Sequence, residues 1–275
     1  MSGDEQAALW NGPSGQSWVE AQELLDEMFA PFEDLLVEVA AAKPRTRVLD
    51  VGCGTGSTTL AVKRRLGPDS ECVGVDISLP MLELARARAT REQLLIDFIC
   101  ANAEQHAFDR GSFDLIVSRF GVMFFNDSIR AFENLRRSAR ADADLCVIAW
   151  RSVAENPFMT AAERAVAAFL PGLAARDLDG PGQFRFAESN RVRQILEHSG
   201  WKEVDIRPID VECRFPEAEL MGYVTRLGPL ARALRESDEG TKARALAAVR
   251  PAFDAYVHGD MVRFVAACWK ISARV

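Results

Sequence analysis

Residues 47–59 read RVLDVGCGTGSTT, and this stretch decides the fold. An apolar run ends in three glycines at alternate positions, Gly52, Gly54 and Gly56, and residues of helical character follow. Such glycines accept backbone angles that a Cβ forbids, and they let the backbone pass close to a ligand. The N–H groups at the start of the next helix then face that ligand. The pattern predicts a strand, a tight turn and a helix, with a small-molecule site at the carboxyl end of a parallel strand.

Glycine spacing and one carboxylate discriminate between possible ligands. A dinucleotide fingerprint has the spacing Gly-x-Gly-x-x-Gly, whereas Ser57 stands where its third glycine belongs. Asp50, two residues before the first glycine, is expected to repel a pyrophosphate in a site that excludes water. A carboxylate suits a ligand with positive charge and hydroxyl groups, and S-adenosylmethionine offers an ammonium, a sulfonium and a ribose. We therefore expect that cofactor; a glycine turn needed only for packing is the alternative interpretation.

Residues 50–56, DVGCGTG, resemble motif I of the class I S-adenosylmethionine-dependent methyltransferases. The flanking features resemble the small-molecule branch that includes the quinone-biosynthesis C-methyltransferases. The resemblance covers residues 48–150 well and the rest of the chain loosely. It implies an α/β fold, a doubly wound, Rossmann-like, mostly parallel seven-stranded sheet with helices on both faces. An N-terminal helical arm (1–43) is expected over the cofactor site, followed by a methyltransferase domain (44–275) with helical lid insertions near 151–185 and 215–260.

Further candidate cofactor residues lie at the ends of the second and third predicted strands. Asp76 stands 26 residues after Asp50, where an acidic residue accepts two ribose hydroxyls in nucleotide-binding α/β folds; a helix cap is the alternative. Ile77 and Met81 are expected to sandwich the adenine, although Met81 also suits a core position. Asn102 and Ala103 stand where the family has an acidic residue and then alanine, and the amide oxygen of Asn102 still accepts from an adenine amine.

The fourth predicted strand and the arm complete the site that the resemblance implies. Ser118 and Arg119 are expected near the sulfonium, and Trp18 near the methionine end, with packing of the arm as the alternative for Trp18. His106 is a candidate general base because its ordinary pKa suits that role, although a loop histidine is more often structural. The candidate acceptor-lining residues, for which lid or core packing is the alternative, are Phe120, Met123, Phe124, Trp150, Asn156 and Phe184.

Composition excludes several classes of partner. The 275 residues carry a formal net charge of −7, which argues against nucleic acid and anionic membranes because both attract basic surfaces. None of the six cysteines forms a Cys-x-x-Cys pair, so we interpret them as small hydrophobes in a reducing compartment. No metal is predicted, because no His, Asp and Glu cluster has ligand spacing. No apolar run spans a bilayer and no signal peptide is recognised, so a cytoplasmic location is expected.

These observations predict an enzyme that moves a methyl group from S-adenosylmethionine to a small, hydrophobic or aromatic acceptor. The reaction is an in-line displacement that leaves S-adenosylhomocysteine, and it depends largely on proximity and desolvation. An NAD(P)-dependent oxidoreductase is one alternative. A module that binds S-adenosylmethionine without turning it over is another, because motif I reports binding and not catalysis. The acceptor, the atom methylated and the oligomeric state are not determined by these patterns.

Overall fold

One sheet organises the part of the chain that the structure describes. The computed structural model describes residues 3–168, 170, 173 and 176–275. Within these residues eight strands form a single sheet with the order β3-β2-β1-β4-β5-β8-β6, and β7 pairs with β8. The strands are β1 (Arg47–Val51), β2 (Glu71–Asp76), β3 (Asp97–Cys100), β4 (Phe113–Arg119), β5 (Ala139–Trp150), β6 (Lys202–Pro216), β7 (Val257–His258) and β8 (Met261–Arg274).

Strand direction confirms the predicted mostly parallel, Rossmann-like sheet. β1 to β5 pair in parallel, and β8 runs antiparallel to both β5 and β6. Seven strands were predicted; the eighth is β7, a two-residue strand inside the second predicted insertion. Strand β5 also begins at Ala139, so its first residues continue directly from the preceding helix.

Helices flank the sheet. They are α1 (Gly3–Asn11), α2 (Pro13–Glu20), α3 (Gln22–Ala41), α4 (Ser57–Leu66), α5 (Leu79–Arg91), α6 (Ser128–Ser138), α7 (Ala161–Val166), α8 (Ser189–His198), α9 (Leu220–Arg226), α10 (Gly228–Arg235) and α11 (Glu239–Val249). Helix α3 packs against α4 and against β4, β5 and β6, whereas α6 packs against α8 and β5. Helix α3 continues through Pro31, which therefore does not break it. None of the described helices has the length and apolar character needed to cross a bilayer.

The central strands are apolar throughout because helices cover them. Leu49 in β1 and Leu115 and Ile116 in β4 are fully buried, as expected for parallel strands enclosed on both faces. The chain leaves β1 towards β2 and returns to its other side as β4. The carboxyl ends of β1 and β4 therefore border the crevice where doubly wound sheets bind their ligands.

The predicted arm and insertions correspond to helical parts of the chain, although their division into functional units stays a prediction. Helices α1 to α3 occupy the arm. The first insertion contains α7 and short 3-10 turns, and the second contains α9, α10, α11 and two 3-10 segments. Residues 1, 2, 169, 171, 172, 174 and 175, which fall in the arm and the first insertion, lie outside the described residues.

Candidate active site

Two glycines bring the tips of β1 and β4 into contact. Gly52 has φ +68°, and a Cβ there would lie 2.6 Å from the Cα of Gly121. A Cβ on Gly121 would lie 2.5 Å from the carbonyl oxygen of Val51. The Ser118 hydroxyl donates to the same carbonyl at 2.7 Å and accepts from the Gly121 N–H at 3.1 Å. This crossing fixes the glycine turn relative to the loop that follows β4.

Replacing Gly121 with alanine is expected to destabilise the fold, because its Cβ meets backbone atoms that have no room to move. Overpacking of this kind costs about 2–3 kcal/mol, and the displaced turn should also lose cofactor affinity. Thermal unfolding and titration with S-adenosylhomocysteine measure both effects. Gly182→Ala is the matched control, since a Cβ there meets nothing within 4 Å; equal stability of the two variants would contradict the crossing.

A cavity of about 410 Å³ opens beside this crossing. Its walls are formed by the glycine turn, the residues after β2, β3 and β4, the arm helices, and helices α9 and α10 of the second predicted insertion. Its size falls within the range of small-molecule sites, about 300–1,000 Å³. Ten of the twelve predicted cofactor residues line it: Trp18, Asp50, Gly52, Gly54, Asp76, Ile77, Met81, Asn102, Ala103 and Arg119.

The other two predicted cofactor residues are not among the lining residues. Gly56, with φ +83°, precedes α4, and a Cβ there would lie 3.0 Å from the Cβ of Ala85 and 3.2 Å from the ring of Phe98. It serves the turn and the packing of α5. Ser118 is fully buried by the crossing described above. The observed contacts of both residues support the turn, and their contact with the ligand stays a prediction.

Asp76 binds the glycine turn and retains acceptor capacity. Its Oδ2 accepts the Gly54 N–H at 2.8 Å and its Oδ1 accepts the Ser78 N–H at 2.9 Å. Burial raises the pKa of Asp76, and its backbone hydrogen bonds oppose that effect. Each carboxylate oxygen accepts more than one hydrogen bond, so the group can still receive two hydroxyls of a diol.

Asp50 is a buried carboxylate on the cavity wall. It is 2% exposed, and the Thr59 hydroxyl donates to it at 2.6 Å. Burial raises its pKa to about 6, Thr59 and the nearby Arg119 lower it, and Asp76 and Glu33 raise it further. A buried charge with a hydrogen bond but no ion pair is costly. The site therefore favours a ligand that brings positive charge to Asp50.

The loop after β3 offers a side-chain hydrogen-bond acceptor that already holds one hydrogen bond. The Asn102 Oδ1 accepts the Glu104 N–H at 2.9 Å, so an adenine amine has to share that oxygen. Glu104 is buried, lines the cavity, and accepts the backbone N–H groups of Asn126 and Asp127 at 2.5 and 3.4 Å. Sequence reasoning missed Glu104, which joins the loops that follow β3 and β4.

His106 lies away from the cavity. It is absent from the lining residues, and its ring packs edge-on against Phe108 with a centroid distance of 4.6 Å. Its carbonyl oxygen accepts from the Asn134 amide at 2.9 Å. The structure thus places the predicted base in a structural contact, because the short loop after β3 turns back onto α6. Among the described residues, no group of three or more His, Cys, Asp or Glu side chains is arranged to hold a metal.

An aromatic wall occupies the part of the cavity predicted for the acceptor. Phe120, Met123, Phe124 and Trp150 all line it. Phe120 adopts φ +63°, a left-handed conformation that is costly for such a residue and often marks functional loops. Its ring stacks on Trp150 with centroids 4.6 Å apart. Strain in the backbone here is balanced by packing of the ring against this aromatic cluster.

Two predicted acceptor residues are structural. The Asn156 side chain donates to the Ala267 carbonyl and accepts the Ala267 N–H, both at 2.9 Å, and so ties the turn after β5 to β8. Phe184 is buried beneath the Arg176 guanidinium, which lies 5.2 Å from its ring centre. Neither lines the cavity.

The arm contributes more to the cavity than the sequence indicated. Trp10 lines it together with Trp18, and its ring meets Phe124 edge-on at 5.3 Å and Trp18 at 6.0 Å. The two tryptophans bracketing a Gly-Pro turn were the available signal. Other lining residues gave no signal because their types are common on any helix: Gln6, Asp26, Phe29, Tyr223, Arg226, Arg232 and Arg235.

Hydrogen bonds fasten the arm to the loop after β2. The Asn11 amide donates to the Ile77 carbonyl at 2.9 Å and accepts the Leu79 N–H at 2.8 Å. The Ser78 hydroxyl donates to the Trp10 carbonyl at 2.7 Å. Because Ile77 follows Asp76, the arm is attached directly beside the predicted ribose position.

Replacing Asn11 with alanine is expected to speed the release of S-adenosylhomocysteine by up to about thirtyfold, since two hydrogen bonds of about 1 kcal/mol each are lost. Stopped-flow fluorescence reports this, because Trp10 and Trp18 line the cavity. Asn190→Ala, an exposed position on α8, serves as the control. Release at the wild-type rate in Asn11→Ala would show that the arm does not retain the ligand.

The residues present fit S-adenosylmethionine. Gly54 lines the cavity with φ +54°, and a Cβ there would approach only the Met81 Sδ, at 3.7 Å, so a glycine leaves the floor open to a ligand. Asp50 suits the ammonium, Asp76 the ribose hydroxyls, and Ile77 with Met81 an apolar base. These roles stay predictions, whereas the placement of the side chains on one cavity is observed.

Comparison with known proteins shows that the segment with the glycine turn is similar to methyltransferases. Residues 48–142 match the family model of a methyltransferase domain. Nocamycin O-methyltransferase of Saccharothrix syringae is 29% identical over 72% of this chain and 74% of its own length. Demethylmenaquinone methyltransferase of Thermus thermophilus is 36% identical over 41% of this chain and 50% of its own length.

A solved structure supports the fold over most of the chain. The YcgJ protein from Bacillus subtilis has a TM-score of 0.55 and 19% identity, and the match covers 88% of this chain and 97% of that one. The chain spans about half the length of several curated relatives, 45% of one and 50% of another.

Proposed function

We propose, from the premise that residues 48–142 form a class I S-adenosylmethionine-dependent methyltransferase domain, that the chain transfers the methyl group of S-adenosylmethionine to a small, apolar or aromatic acceptor. One observation carries this proposal. Two buried carboxylates, Asp50 and Asp76, line the same cavity as an open glycine turn and an aromatic wall. A cationic nucleoside and an apolar acceptor are the ligands that such a cavity accommodates together.

The chain's own residues are suited to binding, orienting and excluding water. The cofactor supplies an activated methyl group on a sulfonium, which is already a good leaving group. Asp50 and Asp76 are placed to orient its charged and hydroxyl groups, and Trp10 with Trp18 closes one side of the cavity. Orientation and water exclusion alone supply a large part of the rate acceleration in such reactions.

The described lining residues contain neither histidine nor lysine. The carboxylates that line the cavity all accept hydrogen bonds, for example Asp50 from Thr59 and Asp76 from Gly54. Burial raises the pKa of the lining Tyr223 to about 12, which makes it a poor acid or base near neutral pH. An acceptor that is already ionised at its nucleophilic atom has no proton to lose and needs no base, and we propose that class.

An apolar acceptor is supported by the aromatic wall. Phe29, Phe120, Phe124 and Trp150 surround this part of the cavity, and Phe120 stacks on Trp150. Two relatives carry the names of small-molecule methyltransferases, for nocamycin and demethylmenaquinone.

We propose that the protein is located in a reducing compartment, the cytoplasm. The six cysteines are all free thiols, which supports this location.

Calorimetric titration with S-adenosylmethionine, S-adenosylhomocysteine and NADPH tests the cofactor. Micromolar binding of the two sulfur compounds and no binding of NADPH is expected. Preferential binding of NADPH would support the oxidoreductase alternative. Incubation of S-adenosylmethionine with a panel of aromatic acceptors, with S-adenosylhomocysteine as the readout, then distinguishes an enzyme from a module that only binds.

A further inference from the structure

Three arginines on the lid face the same cavity, and this inference rests on the proposed function. Arg226 ends α9, and Arg232 and Arg235 belong to α10; all three line the cavity. Among the described arginines of the two predicted insertions, Arg151, Arg176 and Arg250 form ion pairs. Arg226, Arg232 and Arg235 do not, and we call these three residues the lid arginines.

Other cations of the cavity are already engaged. Arg176 holds Glu163 through two hydrogen bonds at 2.5 and 2.8 Å and donates to Gln183 at 2.8 Å. Arg119 acts on the cofactor half, where its charge lowers the pKa of Asp50. Among the described residues that line the cavity, the lid arginines and Arg119 are the cations that form no ion pair, and the Arg226 guanidinium lies near Gly222, as the Glu219 carboxylate also does.

The charged lining residues come from different parts of the chain. The carboxylates Asp26, Asp50, Asp76 and Glu104 belong to the arm and to the strand ends. The lid arginines belong to the second insertion, and the first residues of α10 also line the cavity. A helix N-terminus adds partial positive charge there. On a chain of net charge −7, such a positive wall selects for an anion.

Local contacts hold this wall in place. Arg235 donates to the Ser17 hydroxyl at 3.0 Å and to the Arg226 carbonyl at 3.5 Å. It therefore joins α10 both to α9 and to the arm helix α2. Arg226 and Arg232 make no such bridge between elements among the described residues, so their guanidinium groups are available to a ligand. Arginine is well suited to a planar carboxylate, which it binds through two parallel hydrogen bonds.

We propose that the methyl acceptor is an apolar or aromatic carboxylic acid whose carboxylate is bound by Arg226 and Arg232. Its apolar body packs on the wall formed by Phe29, Phe120 and Trp150. The carboxylate of the cofactor itself is the competing ligand for these arginines. Arg119 lies near Asp50 and provides a cation for that carboxylate beside the site predicted for the cofactor ammonium. The lid arginines then remain for the acceptor.

The test uses the full chain saturated with S-adenosylhomocysteine and two matched probes, 2-naphthoate and the uncharged 2-naphthamide. Calorimetry should show naphthoate binding about tenfold more tightly than the amide, with a preference that declines as salt is added. The double variant Arg226→Gln with Arg232→Gln should remove this preference and leave amide binding unchanged. Arg235 is kept because it holds the lid to the arm.

The control is the double variant Arg110→Gln with Arg244→Gln, which removes the same charge from positions that do not line the cavity. It should retain the naphthoate preference. Equal binding of the two probes to the wild type, absence of naphthoate binding at millimolar concentrations, or an unchanged preference in the lid variant would each overturn the proposal. Weaker S-adenosylhomocysteine binding by the lid variant, with the naphthoate preference retained, would instead assign these arginines to the cofactor. The binding of S-adenosylmethionine and S-adenosylhomocysteine to the wild type is measured separately. Absence of binding of both compounds would contradict the proposed function itself.

Discussion

Replacing Asp76 with alanine is expected to weaken the binding of S-adenosylhomocysteine about 100-fold or more, because two hydrogen bonds to a charged group contribute about 1.5–3 kcal/mol each. The loss is direct, since the carboxylate lines the cavity. It is also indirect, since the Gly54 and Ser78 N–H groups lose their acceptor and the glycine turn loosens. Calorimetric titration of the purified variant measures the change.

Asp97→Ala is the control for this result, because Asp97 is an exposed carboxylate at the start of the neighbouring strand β3. It should leave affinity unchanged. If Asp76→Ala does not fold, Asp76→Asn keeps one acceptor oxygen and should still weaken binding clearly. A folded Asp76→Ala protein with wild-type affinity would show that the ribose is held elsewhere.

Replacing Asp50 with asparagine is expected to stabilise the ligand-free protein and to weaken the binding of S-adenosylmethionine. Burial raises the pKa of Asp50 to about 6, whereas the ordinary pKa of aspartate is about 3.9, so the charged form destabilises the fold at neutral pH by about 3 kcal/mol. Asparagine carries no charge, has nearly the same shape and still accepts from Thr59. The melting temperature should therefore rise by several degrees, as in other trade-offs between stability and function.

The pH dependence has a definite sign. Because the pKa of Asp50 is higher in the folded state, its stabilising contribution is complete below pH 4 and is lost as pH rises to about 6. Cofactor affinity should change in the opposite direction and increase over the same range, because the ionised carboxylate attracts the ammonium. Asp76, whose pKa burial also raises, adds to that increase.

Thermal melts and titrations of both proteins between pH 4 and pH 8 measure these effects. In Asp50→Asn the part of the pH dependence due to Asp50 should disappear, and the part due to Asp76 should remain. An asparagine variant that is less stable than the wild type at pH 8, or that binds S-adenosylmethionine equally well, would contradict this account of Asp50.

Local sequence patterns predicted the cofactor half well. The apolar run, the glycines and the next helix appear as β1, the turn and α4, because each depends on residues adjacent in the chain. Asp50 and Asp76 line one cavity as expected, since parallel strands present their carboxyl ends at one edge of the sheet. Gly56 was assigned to the ligand from the glycine motif and Ser118 from the end of the fourth predicted strand, and neither pattern shows which of its residues face the cavity.

Assignments that depended on distant contacts were less accurate. His106 was a reasonable base by residue type, but the loop turns it onto Phe108. Asn156 and Phe184 stand among residues that resemble a lid, yet one binds β8 and the other lies beneath Arg176. Which face of an irregular segment points inward is decided by what packs against it, and the sequence of that segment does not contain this information.

The sequence by itself determined the strand, the glycine turn and the helix, and it predicted a cofactor site at their junction; its resemblance to the class I methyltransferases implied the doubly wound sheet. The local elements follow from the backbone preferences of glycine and from the apolar run, and the predicted site follows from two carboxylates at strand ends, all of which act over short distances. Only the tertiary structure decided the role of Gly121, the attachment of the arm through Asn11 and the bond from Arg235 to the arm. The reason is physical: each of these contacts joins atoms that are separated by 66 or more residues along the chain and meet only when the sheet has assembled.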